Sequence, residues 1–148
     1  MIIEIRTKEK YAACERDGFA GRMAHAGLKI KGARLARLYK VEGDFTAAEF
    51  RRLGGELLAD PVTETWAKAP ARTDLKGWRV EVWLKDSVTD VVGESVEGAV
   101  EDVLGKKPES VRFGRAWCVA GVTEAELRRA VAGTLVNETV NKFSVERI

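Results

Sequence analysis

Arginine on the apolar face of a strand calls for a chemical explanation, and this chain has it twice. Period-two alternation places Leu35, Arg37, Tyr39 and Val41 on one face of a strand, and Val111, Phe113, Arg115, Trp117 and Val119 on the matching face of another. A guanidinium at such a position can stack on Tyr39 or Trp117 while its head reaches a carboxylate at the sheet edge. Its planar donor pair equally suits a carboxylate or phosphate presented by a partner protein or an anionic ligand. Arg37 and Arg115 are therefore the candidate partner-interface residues.

The other reactive side chains form no constellation. Glu15/Asp17, Glu94/Glu97 and Glu101/Asp102 fall at helix-surface spacing, with no neighbour that would mark an acid–base pair. His25 is the single histidine and has no second His or Cys nearby, so no metal is expected. Cys14 and Cys118 make no CxxC pair and suggest neither a disulfide framework nor a zinc site. No GxxxxGK[ST] phosphate loop, GxGxxG turn, HExxH or GxSxG pattern occurs. The expectation is a chain with no catalytic site and no cofactor of its own.

The elements that carry the two arginines are written twice. Residues 46–66, TAAEFRRLGGELLADPVTETW, align with 123–143, TEAELRRAVAGTLVNETVNKF, at an offset of 77, with six of 21 positions identical. The same offset carries IEIR at 3–6 onto VEVW at 80–83. ARLARLYKVEG at 33–43 matches VRFGRAWCVAG at 111–121 at an offset of 78, which equates Arg37 with Arg115. A fixed period disturbed only at loops is what two copies of one structural unit show. Two copies are too few for a solenoid, so a pseudo-twofold pair is expected.

Each unit reads strand, helix, strand, helix, strand. Short apolar or alternating runs at 2–6 and 78–84 open the units. Phe19, Met23 and Ala26 mark the first helix of one copy, and Val96, Val100 and Val103 that of the other. Gly18 and Gly21 each weaken the first of these by about 1 kcal/mol relative to Ala. The second helix of each unit has the best start signals. Thr46 with Glu49, and Thr123 with Glu126, are capping boxes, while Phe45/Phe50 and Val122/Leu127 are hydrophobic staples. Phe50, Leu53 and Leu57 then share a face, as do Leu127, Val131 and Leu135. Val62–Trp66 and Thr139–Phe143 are expected as closing strands that pair. The intended organisation is unit 1 over 1–67, a linker over 68–77 containing Pro70, Asp74 and Gly77, and unit 2 over 78–148. A unit of about 75 residues buries little surface alone, so the copies should pack sheet to sheet or edge to edge as one body.

Composition narrows the setting. The chain has 148 residues, 45% hydrophobic and 32% charged, which fits a globular protein and not a disordered one. Its formal charge of +2 comes from interspersed signs, so nucleic acid is not an expected partner. Lys29, Lys31 and Arg34 cluster, and read as a solvated loop and strand edge. No run of about 18 apolar residues is present to span a bilayer, and MIIEIRTKEK lacks a signal-peptide layout. The expected location is cytoplasmic, away from membranes.

LLADPVTETW, the strands ending LYKVEG and RFGRAWCVAG, and LKDSVTDVVGESVEGAVEDVLG resemble the PurS family, the small subunit of phosphoribosylformylglycinamidine synthase. Lys85, Asp90 and Gly93 stand where that family has a strand-ending Lys and a loop with Asp and Gly. The resemblance covers both halves, and is similar to the PurS-like N-terminal region of the long single-chain enzyme. It implies an α+β fold, a tandem duplication forming a PurS-dimer-like two-layer sandwich related to the ferredoxin-like folds. It further implies a non-catalytic assembly role, bridging a PurL-type ligase and a PurQ-type glutaminase in purine biosynthesis. On that view the second copy replaces the missing dimer partner. The first copy departs from the pattern, with Glu9–Ala13 where the second has Asp86–Asp90, and Ala36 where the second has Gly114. A small-metabolite-binding regulatory domain is the alternative, because tandem strand–helix sandwiches can hold ligands between their copies.

Overall fold

Alternation in IIEIRT turns Ile3 and Ile5 of β1 (Ile2–Thr7) toward one side, where both are buried. The computed structural model describes residues 1–148. A single 3₁₀ turn at Glu9–Tyr11 leads into α1 (Ala13–His25), whose Phe19 and Met23 are buried. Ala26, expected as the third residue of that stripe, is exposed just past the helix end, and Leu28 is buried instead. The chain turns at Gly27, with φ +84°, a left-handed conformation that costs glycine little. β2 (Gly32–Glu42) follows.

α2 (Ala47–Arg52) begins with both halves of its capping box. Glu49 N–H donates to Thr46 Oγ1 at 3.1 Å and Thr46 N–H donates to Glu49 Oε1 at 2.9 Å. The Phe45 and Phe50 rings of the staple meet edge-on at 5.7 Å. The helix then widens into a π turn at Leu53–Leu58. Its wall is Trp66 of β3 (Glu64–Lys68): a Cβ on Gly54 would lie 2.3 Å from the indole, so only glycine lets the backbone approach this ring. The expected Phe50, Leu53, Leu57 face is thus re-spaced, with Leu53 fully buried and Phe50 and Leu57 half-buried.

The second half repeats the order. β4 (Trp78–Leu84) leads to α3 (Val91–Leu104), which is capped by Asp90 through Gly93 N–H at 2.8 Å. β5 (Ser110–Ala120), α4 (Glu124–Thr134) and β6 (Asn141–Arg147) complete the chain. At the start of α4 only half of the expected box forms. Thr123 Oγ1 accepts from Glu126 N–H at 3.2 Å, but its hydroxyl, not the cap N–H, donates to the Glu126 carboxylate at 2.8 Å.

All six strands form one antiparallel sheet in the order β3-β1-β2-β5-β4-β6. The halves meet edge to edge: β2 pairs with β5 along its length, from Gly32 opposite Ala120 to Glu42 opposite Ser110. β3 and β6 do not pair with each other. They begin two residues later than expected, at Glu64 and Asn141, and lie at opposite edges on β1 and β4. Val62 stays in the preceding turn, 65% exposed.

The helices cover one sheet face and are exchanged between halves. α1 and α4 cover a core containing Phe19, Met23, Val80, Trp117, Leu127 and Val145. α2, its π turn and α3 cover a second core containing Ile5, Tyr39, Leu53, Val100 and Val111. Each core therefore draws one helix from each half. The result is an α+β two-layer arrangement of one sheet and four helices. No helix is long and apolar enough to cross a membrane.

Candidate functional site

Arg37 and Arg115, matched by sequence alone, lie directly opposite each other in the β2–β5 ladder. From either edge inward the strand order is last, first and middle strand of each half, so the two side chains lie on the two central strands of the sheet. They point to the helical face, into a small open cleft of about 240 Å³ that Leu35, Trp117, Glu15 and Arg22 also line.

Their surroundings differ. Arg37 donates to both Glu64 oxygens, at 2.5 and 3.2 Å, and to Leu58 C=O and Tyr39 Oη, each at 3.2 Å. The hydrogen bond to Glu64 raises the guanidinium's pKa despite partial burial. The same bond holds the Glu64 carboxyl below the usual glutamate range, against desolvation, helped by Asp60 N–H. Arg37 thus reaches an edge-strand carboxylate, as one of the two sequence readings has it. Arg115 does not. It is exposed, makes no hydrogen bond or ion pair, and lies 5.9 Å from the Phe113 ring, not on Trp117. The cause is one substitution: the position matching Glu64 at an offset of 77 is Asn141. Asn141 Oδ1 accepts from Asn137 N–H at 3.0 Å, as Glu64 Oε1 accepts from Asp60 N–H at 2.9 Å, but it brings no charge for an arginine.

The sheet's other face holds a charged network that the sequence reading passed over. Glu4, with a fully buried side chain, accepts from Arg6 Nε at 2.6 Å and from Arg79 Nη2 at 2.6 Å. Arg79 Nε donates to Glu81 at 2.8 Å, and Trp83 Nε1 donates to the other Glu81 oxygen at 3.2 Å. Burial pulls the Arg79 pKa down, but Glu4 and Glu81 more than offset it, so the guanidinium stays charged. These side chains reach across β2 and β5 over Ala36, Ala116 and Gly114. A Cβ on Gly114 would lie 2.6 Å from the Trp83 ring, so this residue is glycine because an indole lies on it. The legible signal was the reversed order of charges on two alternating strands, Glu4 then Arg6 in β1 and Arg79 then Glu81 in β4.

The segment between the halves crosses one end of this face, beside Glu4 and Arg6. β3 extends to Lys68, so the connection runs from Ala69 to Gly77. It is fixed by Arg6, which donates to Arg72 C=O at 3.0 Å and Ala71 C=O at 3.4 Å, and by Ala71 N–H donating to Glu4 at 3.2 Å. Cys118 lies beneath, 3.9 Å from Arg6 Nη2, and burial raises its thiol pKa despite Arg6 and Arg79. Cys14 is exposed, and neither cysteine is in a disulfide. His25 is exposed at the end of α1, and no group of three or more His, Cys, Asp or Glu side chains could hold a metal ion.

The chemistry available around the central pair is anion recognition: one free guanidinium at Arg115, a second at Arg22, and a third, Arg37, already neutralised. No protein-family model matches this chain, and no curated protein matches it.

Proposed function

We propose that this chain is two PurS-type units fused in tandem, serving as a non-catalytic assembly component of the glutamine-dependent phosphoribosylformylglycinamidine synthase. In this role it bridges a PurL-type ligase and a PurQ-type glutaminase in the cytoplasm. The observation that carries the reading is the meeting of Arg37 and Arg115 in register at the centre of a symmetric sheet. A subunit that works as a dimer must place a twofold axis somewhere. Here one pair that the 78-residue offset equates, Arg37 and Arg115, is also a pair that the ladder sets opposite each other. The exchanged helices add to this, because neither half completes its own core.

The geometry also divides the labour between the candidates. Arg37 is held by Glu64 and belongs to the internal fabric. Arg115 is free to take a partner's carboxylate, and is the interface residue of the two. The test is reconstitution with a ligase lacking its own small subunit and a glutaminase from the same genome. The three proteins should co-elute, and amidine formation with glutamine as nitrogen donor should require this chain. Arg115→Glu should weaken the complex at least tenfold, since it puts a like charge where a cation meets an anion. Separate elution of the three proteins, with a rate indifferent to this chain, would refute the assignment.

A further inference from the structure

A second concentration of under-neutralised charge lies away from the central pair. It lies where Ala69–Gly77 passes the start of β2, in an open cleft of about 770 Å³. Arg16 comes from α1, Lys31 and Arg34 from the entry to β2, and Arg72 and Asp74 from the connecting segment, while Glu9 projects from the 3₁₀ turn. The cluster Lys29, Lys31, Arg34, which the sequence suggested was solvated surface, is partly drawn into this cleft: the Arg34 side chain is only 16% exposed.

The charges do not balance. Glu9 is shared, one oxygen 2.6 Å from Arg16 Nη1 and the other 2.6 Å from Arg34 Nη1. Lys31 and Arg72 have no anionic partner, and Asp74 makes no ion pair. Four cations therefore face two carboxylates, besides Arg6, whose charge Glu4 meets from below. The walls are set before any ligand arrives. Arg34 Nη2 donates to Thr7 C=O at 2.6 Å, and Arg6 anchors the connecting segment by its carbonyls. Leu75 lies against Gly32 and, with Ala33, gives the cleft its small apolar patch.

We propose that this cleft binds a small phosphate ester, its phosphate taken by Arg16, Lys31, Arg34 and Arg72 and its organic part lying on Ala33 and Leu75. The donors arrive from three elements and several directions, which suits a tetrahedral dianion better than one planar carboxylate. The volume falls in the range of small-molecule sites. The cleft rests on Arg6 and Arg34, on the sheet face opposite Arg115. Its occupancy and the assembly role are independent, and a failure of one leaves the other standing.

The experiment uses the full chain at about physiological ionic strength, where loose surface attraction is screened beyond about 8 Å. Calorimetry and phosphorus NMR are run with adenosine monophosphate, inorganic phosphate, adenosine and a polyglutamate peptide. The nucleotide should bind with a submillimolar Kd, phosphate more weakly, and adenosine not at all. The double variant Lys31→Ala/Arg72→Ala should lose at least tenfold in affinity. Neither side chain makes an ion pair or hydrogen bond within the chain, and both residues are exposed, so the unfolding midpoint should move by no more than an ordinary surface substitution moves it. Arg115→Ala should bind the nucleotide as the parent does. The proposal is overturned if neither phosphate compound binds at millimolar concentration, if adenosine matches the nucleotide, or if the double variant binds unchanged. It is also overturned if the peptide binds and the phosphates do not, which would assign the cleft to an acidic protein segment.

Discussion

Replacing Glu4 with glutamine tests the physical reasoning at its most exposed point. The carboxylate is fully buried between two guanidiniums, those of Arg6 and Arg79, which are 8% and 5% exposed. Glutamine keeps one acceptor, enough for Arg79 and Ala71 N–H. It turns an NH₂ group toward Arg6 Nε, donor against donor, and removes the negative charge between two cations. Breaking a buried pair by deleting one partner costs about 3–5 kcal/mol. The acceptor that survives puts Glu4→Gln at the lower end, about 3 kcal/mol. For a chain of this size that is a drop in Tm of roughly 6–12 °C. Thermal unfolding followed by circular dichroism reads it, with exposed Glu146→Gln as a control expected to stay within about 0.5 kcal/mol. A double-mutant cycle with Arg79→Met should give a coupling of about 0.5–3 kcal/mol. If Glu4→Gln unfolds within about 0.5 kcal/mol of the parent, or the cycle is additive, the network is not what stabilises this face of the sheet.

Three further outcomes are expected. Glu64 has its pKa lowered by Arg37 from the ordinary value near 4.5, so the stability it contributes is full above that value and lost as pH falls through the lower, folded-state value; Glu64→Gln should remove that part of the acid dependence in urea titrations between pH 5 and lower values. Gly54→Ala should destabilise by about 1–3 kcal/mol, since its methyl group would meet the Trp66 ring, and a blue or red shift of tryptophan fluorescence should accompany the change. A thiol reagent should label one cysteine at once and the second only on unfolding, because Cys14 is exposed while Cys118 is buried with its thiol pKa raised; Cys14→Ser should abolish the fast phase, and fast double labelling would contradict the covered face.

What the sequence made legible was local, or periodic over the strands. Thr46 and Glu49 announce a helix start because the cap needs only residues three apart. The alternation around Arg37 and Arg115 put both on the helical face for the same short-range reason. Their offset even equated them before the ladder placed them opposite each other. What stayed hidden depends on who arrives from far along the chain. The π turn at Leu53–Leu58 seats Gly54 against the Trp66 ring, a contact that LGGELL alone does not announce. The half-formed box at Thr123 turns on a hydroxyl orientation. Glu4, Arg6, Arg79 and Glu81 looked like the solvent side of two ordinary strands. Glu4, Arg6 and Arg79 are buried all the same, and residues 71 and 72 of the connecting segment bond directly to Glu4 and Arg6. The charged cleft was missed for the same reason, since Lys31, Arg34 and Arg72 come together only once that segment is laid down. At Arg115 the informative position was Asn141, whose missing charge can be read from the alignment of the halves but becomes meaningful only beside Arg37 and Glu64.

The exchange of helices matters while the chain is being made. At about 5–20 residues per second, residues 78–148 take roughly 4–14 s to be made after the first 77. In that interval Phe19 and Met23 have no α4 to rest on, and the β2 edge is unpaired, as in any strand awaiting its neighbour. Two nascent chains on one message could satisfy each other's needs, first half with first half, before either ribosome finishes. The span from Gly32 to Ala120 then becomes a kinetic race between closing within one polypeptide and trading across two. A protein built this way gains from slow initiation, widely spaced ribosomes, or a chaperone that shields the bare edge until the remainder is translated.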